Sequence, residues 1–138
     1  MYEPYTRQAL PSKKYRELLG SALCVFNSNN QFIIENILRI NPSDSWYELI
    51  DKSSGNLLKD IKNTISKETN KDIKSLFSDI IKQRNRIVHS FQCTHEGSQM
   101  LATKEKNNNQ VIINEQYLID FIKLNENLSD KLHELRGF

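Results

Sequence analysis

The chain has 138 residues, of which 38% are hydrophobic and 26% charged, with a formal net charge of +2. That length accommodates one domain whose core holds without metal or disulfides, and the supply of Ile, Leu and aromatic residues excludes disorder. So small a net charge does not by itself point to nucleic acid. The two cysteines, Cys24 and Cys93, stand far apart in no paired motif, which fits a reducing compartment better than a disulfide scaffold.

The opening residues, MYEPYTRQALP, lack the apolar run of a signal peptide, and no stretch reaches membrane-spanning length. The expectation is a soluble cytoplasmic protein in a single domain over residues 1–138. Ser12 is placed to cap a first helix in which Leu19, Leu23, Phe26, Ile33, Ile37 and Ile40 recur at spacings of three and four, with Pro42 ending it. Such a helix has close to 30 residues and spans about 45 Å at 1.5 Å per residue, enough to serve both a bundle and a partner chain. Asn30 interrupts its apolar seam, where a buried amide fixes register.

Ser45 and Glu48 have the spacing of a capping box and open a short helix expected to bury Trp46 and Leu49. Ser53-Ser54-Gly55 breaks the chain, and a third helix carries Leu57, Ile61 and Ile65 on one stripe. The polar run from Ser66 to Asn70 is a further break, with Asn70 as cap for a fourth helix starting at Lys71. Past Phe91 the pattern changes. Gln92 to Ser98 reads as a loop, and residues 99–105 and 110–113 flank Asn107-Asn108-Asn109, a turn suited to a β-hairpin because asparagine tolerates positive φ. A last helix begins near Asn114, sets Leu118, Phe121, Leu128, Leu132 and Leu135 on one face, and ends at Gly137. The fold class is therefore mainly α: a bundle of four to five helices with a small β-hairpin inserted before the C-terminal helix.

Charge is unevenly spread. Between Lys59 and Arg86 eight Lys or Arg face Asp60, Glu68, Asp72 and Asp79, a local net of +4, whereas the remainder carries a net of −2. This basic segment leads into Gln83–Phe91, QRNRIVHSF. On a wheel of about 100° per residue, Leu76, Ile80, Ile87 and Phe91 fall within one arc, and Arg84 falls at its edge, about 20° past Phe91. An unpaired cation there costs several kcal/mol, so Arg84 requires an acidic partner or an anion. Asn85 and His89 are four apart and share a face; Arg84 and His89 diverge by about 140°. Either the helix ends or bends near Arg86, or two copies of the segment meet across a two-fold axis and pool their groups.

These residue types suit phosphoryl transfer. Histidine, with an unperturbed pKa near ~6.5, exchanges protons at neutral pH, and arginine forks onto phosphate oxygens. Asn85 can orient a ribose or phosphate oxygen without adding charge. The nucleophile then comes from the substrate, and the ribose 2′-hydroxyl supplies it, which makes RNA the substrate.

Arg84-Asn85-Arg86-Ile87-Val88-His89 resembles the R-x4-6-H signature of HEPN domains, all-helical domains of toxin-antitoxin, abortive-infection and CRISPR effector systems in which a polar residue often follows the arginine. The resemblance covers the bundle, roughly Tyr15 to Phe91 plus the last helix, and leaves the hairpin around Asn108 as an elaboration. It implies a metal-independent, cofactor-free endoribonuclease that dimerises so that two motifs share a cleft, and that leaves a 2′,3′-cyclic phosphate. Arg84 would bind and stabilise the phosphate, His89 would be the general acid or base, and Asn85 would support them. It also implies a role in toxin-antitoxin or antiviral defence, with an antitoxin or defence-system partner. One subfamily carries a tyrosine two residues after the histidine, which a nucleotidyltransferase antitoxin adenylylates; Phe91 stands there in this chain and offers no hydroxyl, so control would follow another route.

Lys82 and Arg86 flank the motif and could hold RNA phosphates by charge. Trp46, Tyr47 and Tyr117 could stack on bases. His89, Cys93 and His95 lie within seven residues and could contribute to a zinc site, although a fourth ligand is not evident. The residues also leave open a non-catalytic helical module that binds RNA or a protein, with Arg84 neutralised by Glu35 or Asp51 in a structural ion pair.

Overall fold

The computed structural model describes residues 2–69 and 72–137. The chain runs α1 (Lys13–Ile40), α2 (Trp46–Asp51), α3 (Ser54–Asn63), α4 (Ile65–Glu68), α5 (Ile73–Val88), β1 (Phe91–His95), β2 (Ser98–Lys104), β3 (Gln110–Ile113) and α6 (Glu115–Arg136). It is mainly α, with a small antiparallel sheet before the last helix. Among the described residues, no helix is long and apolar enough to cross a membrane.

The two long helices, α1 and α6, pack along each other and form the spine. Ser12 caps α1 by accepting a hydrogen bond from the Tyr15 amide, and Asn41, just before Pro42, closes its last turn with its amide donating a hydrogen bond to the Ile37 carbonyl. A residue preceding proline is disfavoured in the α conformation, so the helix stops there. Asn114 caps α6 in the same manner through the Tyr117 amide, and Gly137 ends it in the left-handed conformation at φ 83°. Phe26, Ile33 and Ile37 of α1 and Leu118, Phe121, Leu128 and Leu132 of α6 are all buried in the core. Each such side chain contributes about 1.5–3 kcal/mol by leaving water.

α1 buries two amides, Asn29 and Asn36, and Asn29 lies one residue before the position expected from the seam. Asn29 Nδ2 donates to the carbonyl and the side-chain oxygen of Asn125 on α6, at 2.8 and 3.1 Å, and Asn125 Nδ2 donates to the Phe121 carbonyl. The neighbouring Asn30 is only half buried and accepts from the Ser54 hydroxyl, which ties the start of α3 to α1.

Several short elements differ from the sequence expectation. Ser54 and Gly55 are helical, because Ser53 caps α3 directly after Lys52. Leu57 and Ile61 are buried on α3, but Ile65 opens the separate single turn α4, which also takes in Ser66, Lys67 and Glu68. Asn70 and Lys71, read as the cap and start of the fourth helix, lie outside the described residues; Asp72 caps α5 through the Ser75 amide. On α2, Leu49 is buried, whereas Trp46 is 39% exposed and stands edge-on against Tyr47. A helix of six residues has one apolar position to bury here, and the other aromatics remain at the surface.

The largest departure follows α5. Phe91–His95 is a strand, so the loop read over Gln92–Ser98 is instead β1 with a two-residue turn at Glu96-Gly97, and the expected hairpin is a three-stranded sheet in the order β1-β2-β3. Glu96 and Gly97 both have positive φ, 50° and 79°. Positive φ at both central residues is the turn whose twist matches that of paired strands. The expected turn at Asn107–Asn109 connects β2 to β3, with Asn108 at φ 68°.

Tyr15 fastens the sheet to α1. Its hydroxyl donates to the Ile113 carbonyl at 2.6 Å and accepts from the Leu101 amide at 3.1 Å, bridging residues that are partners in the β2–β3 register. Burial pushes the phenol above its ordinary value of 10.0, opposed by the Leu101 hydrogen bond. Replacing Tyr15 with phenylalanine strands both backbone groups and is expected to cost about 1–3 kcal/mol. The raised folded value means that stability present below pH 10.0 is lost as pH rises through the folded value, so the parent melting temperature should fall on that alkaline limb. Thermal melts of both chains between pH 7 and 11 check this: a Tyr15→Phe chain as stable as the parent at pH 7 contradicts it.

Candidate active site

α5 presents two chemically distinct faces. Ile73, Phe77, Ile80, Ile81 and Ile87 are buried, and Leu76 packs at the edge of the core. Lys82, Asn85, Arg86 and His89 are all exposed, and at about 100° per residue they occupy a single arc of the opposite side. Arg84 belongs to the apolar face. Its guanidinium carbon lies 4.7 Å from the centroid of the Phe26 ring on α1. Phe77, two turns earlier on α5, stacks on the same ring at 6.0 Å, so a phenyl and a guanidinium seven residues apart share one aromatic neighbour.

No carboxylate reaches Arg84: among the described residues it forms no ion pair, and Glu35 and Asp51 do not neutralise it. Its Nε is buried without a hydrogen-bond partner. Desolvation by burial lowers its pKa from the ordinary arginine value. Asn36 Oδ1 and Tyr117 OH are also buried and unpartnered, but both are neutral, and a cation in that condition is the more costly of the two cases. A face-on aromatic ring offsets part of that cost, about 0.5–2 kcal/mol. The guanidinium is therefore held in place by packing, with its Nε left unsatisfied.

His89 stands where α5 stops. Its amide donates to the Asn85 carbonyl at 2.9 Å, the last helical hydrogen bond, and its side chain is exposed. Ser90 then turns the chain, with its hydroxyl on the Ile87 carbonyl at 2.6 Å, and β1 begins at Phe91. Phe91 thus leaves the helical arc in which the wheel set it and is 40% exposed, beside Val88 at 53%. The helix does not bend near Arg86 but ends two residues past it, at Val88, with His89 as its C-cap. Arg84 faces α1, and His89, with Asn85, faces away from it.

The two flanking cations part company as well. Lys82 borders a hollow with Asp72, Lys74 and Asp79, whereas Arg86 lines an open groove with Lys104, Glu105, Lys106 and Asn107. The meeting of Arg86 with the β2–β3 turn is absent from the sequence reading. Its signal was two lysines around an acidic residue before the asparagine run, with nothing to say which helix that turn would approach. Cys93 and His95 are half buried on β1, and His95 Nε2 is 3.9 Å from Glu96 Oε1. Among the described residues, no three His, Cys, Asp or Glu side chains are gathered as metal ligands.

In comparisons with known proteins, no family model matches the chain, and neither a curated protein nor a solved structure is significantly similar to it.

The geometry of Arg84 makes a stability prediction. Arg84→Met removes an unpaired, desolvated cation and leaves an apolar chain against Phe26, so its melting temperature should stay within about 2 °C of the parent, less than the shift from ~1 kcal/mol in a domain of this size. Inorganic phosphate should raise the melting temperature of the parent more than that of Arg84→Met, because a ligand stabilises the state that binds it. A loss of many degrees in Arg84→Met, with equal phosphate responses, would make the residue purely structural.

Proposed function

We propose that the chain is a HEPN-type, metal-independent endoribonuclease that acts as a homodimer on RNA. The observation that carries this reading is Arg84: a guanidinium packed over Phe26 with a buried, unpartnered Nε and no acidic neighbour among the described residues, five positions before an exposed histidine at the helix end. A cation held without a counter-charge is suited to an anion that arrives with the substrate, and a phosphodiester has the fork-like pair of oxygens that arginine recognises.

In the proposed reaction His89 takes the proton of a ribose 2′-hydroxyl as its oxygen attacks the adjacent phosphorus. The bond from phosphorus to the 5′-oxygen breaks, and that oxygen leaves with a proton from water, which the protonated His89 then restores. The products are a 2′,3′-cyclic phosphate and a 5′-hydroxyl end. Arg84 neutralises charge on the non-bridging oxygens, Asn85 orients the ribose or phosphate, and Lys82 and Arg86 hold flanking phosphates. A two-fold pair answers the divergence of Arg84 and His89 about α5, since each phosphate then meets the fork of one copy and the imidazole of the other. Val88 and Phe91, apolar and exposed beside His89, suit the seam of such a pair. A role in toxin-antitoxin or antiviral defence, in the cytoplasm, goes with this reading.

A second reading, a helical module that binds a protein, draws on the exposed Trp46, Tyr47 and Ile50 of α2. One assay separates the two. In excess chelator the parent chain should cleave single-stranded RNA and leave cyclic phosphate ends. His89→Ala should slow this by about 10²-fold or more, the usual contribution of a general acid or base, with its circular dichroism spectrum unchanged. Undiminished cutting by His89→Ala removes its role, and an inert parent chain leaves the binding module.

A further inference from the structure

Of the groove between the last turns of α5 and the β2–β3 turn, only Arg86 has a part in the chemistry above. The groove's volume is about 560 Å³, and it is lined by Arg86, Lys104, Glu105, Lys106 and Asn107. Three cations face one carboxylate. Among the described residues none of the three is engaged in an ion pair, unlike Arg16, Arg39 and Lys52, which are held by Glu3, Glu68 and Asp60.

The turn that carries the lysines is fixed from within. The Glu105 amide donates to the Asn109 carbonyl at 2.8 Å, the Asn108 amide to the Glu105 carbonyl at 3.0 Å, and the Asn109 amide to the Asn107 side chain at 3.1 Å. Lys104 Nζ donates to Asn108 Oδ1 at 2.9 Å, which anchors the ammonium to a neutral group and leaves its charge uncompensated. On the other bank, Arg86 stands three residues before His89, so the two are neighbours on the surface of α5.

We infer that this groove is a phosphate track: Arg86, Lys104 and Lys106 hold the sugar–phosphate backbone of single-stranded RNA and lead it past His89. The inference rests on the ribonuclease reading for its ligand and adds the sheet turn as a second RNA-binding element. Cations on two separate elements with a groove between them suit a flexible strand, whose successive phosphates can follow the bend. The contacts read the backbone and not the bases, so the track is indifferent to sequence.

The test uses the full chain carrying His89→Ala, which binds without cutting, and a fluorescently labelled single-stranded RNA whose anisotropy is followed from 50 to 300 mM salt. Adding Lys104→Ala and Lys106→Ala should weaken binding about tenfold at low salt. It should also make the slope of log Kobs against log salt shallower by about 1.4, since each single-strand phosphate contact contributes about 0.7. Lys13→Ala with Lys123→Ala, removing the same charge from exposed sites on α1 and α6, should change neither. Affinity and slope untouched by the turn substitutions, an equal loss in the control pair, or no RNA binding at all overturns the track. Failure of the parent chain to cleave while the turn substitutions still weaken binding overturns the nuclease and leaves the track standing.

Discussion

A positive charge packed against an aromatic ring with no negative charge to meet it is the constraint around which this molecule is arranged. Arg84 occupies the stripe of α5 that also supplies Phe77 to the core, and both side chains reach the same ring of α1. Had the fold brought Glu35 or Asp51 to the guanidinium, the pair would satisfy itself and the residue would be inert. Instead the cost of desolvating the cation is carried by the surrounding core, whose Ile and Phe side chains hold α5 in position.

The remaining scaffold serves to keep the end of α5 in one place. α1 and α6 are registered against each other by the Asn29–Asn125 amide pair, which adds direction to packing that hydrophobic contact alone leaves free to slide. Tyr15 links that spine to the sheet through two backbone groups. Since β1 starts two residues after His89, the histidine is pinned between a helix terminus and a paired strand, and its imidazole is the exposed part of a fixed backbone. The sheet is thus more than an appendage: it sets where the helix stops and carries a basic turn to the same edge of the molecule.

The helical part of this architecture could be read from one-dimensional pattern. Side chains three and four apart share a helix face whatever surrounds them, so the spines of α1, α3, α5 and α6 and the caps at Ser12 and Ser45 follow from spacing and from the hydrogen-bonding reach of short polar side chains. Misreadings fell where spacing is a weak constraint. Phe91–His95 alternates too little to announce a strand; it becomes one because β2 offers it a ladder. Trp46 lies on a helix too short for periodicity to define an inner side. Asn29 and Asn30 are adjacent, and which of them turns inward depends on the helix across the seam.

For the candidate site, the chain by itself determined that an arginine lies on the apolar face of α5, that Asn85 and His89 share the other, and that one regular helix cannot aim Arg84 and His89 at one atom, since the pitch of a helix is local geometry. Only the tertiary structure decided that no carboxylate meets Arg84, that Phe26 lies beneath it, and that Lys104 and Lys106 come to stand across a groove from Arg86. Those facts concern residues tens of positions apart in sequence. Whether they meet is settled by how α1, α5 and the sheet pack together, which no short-range pattern encodes.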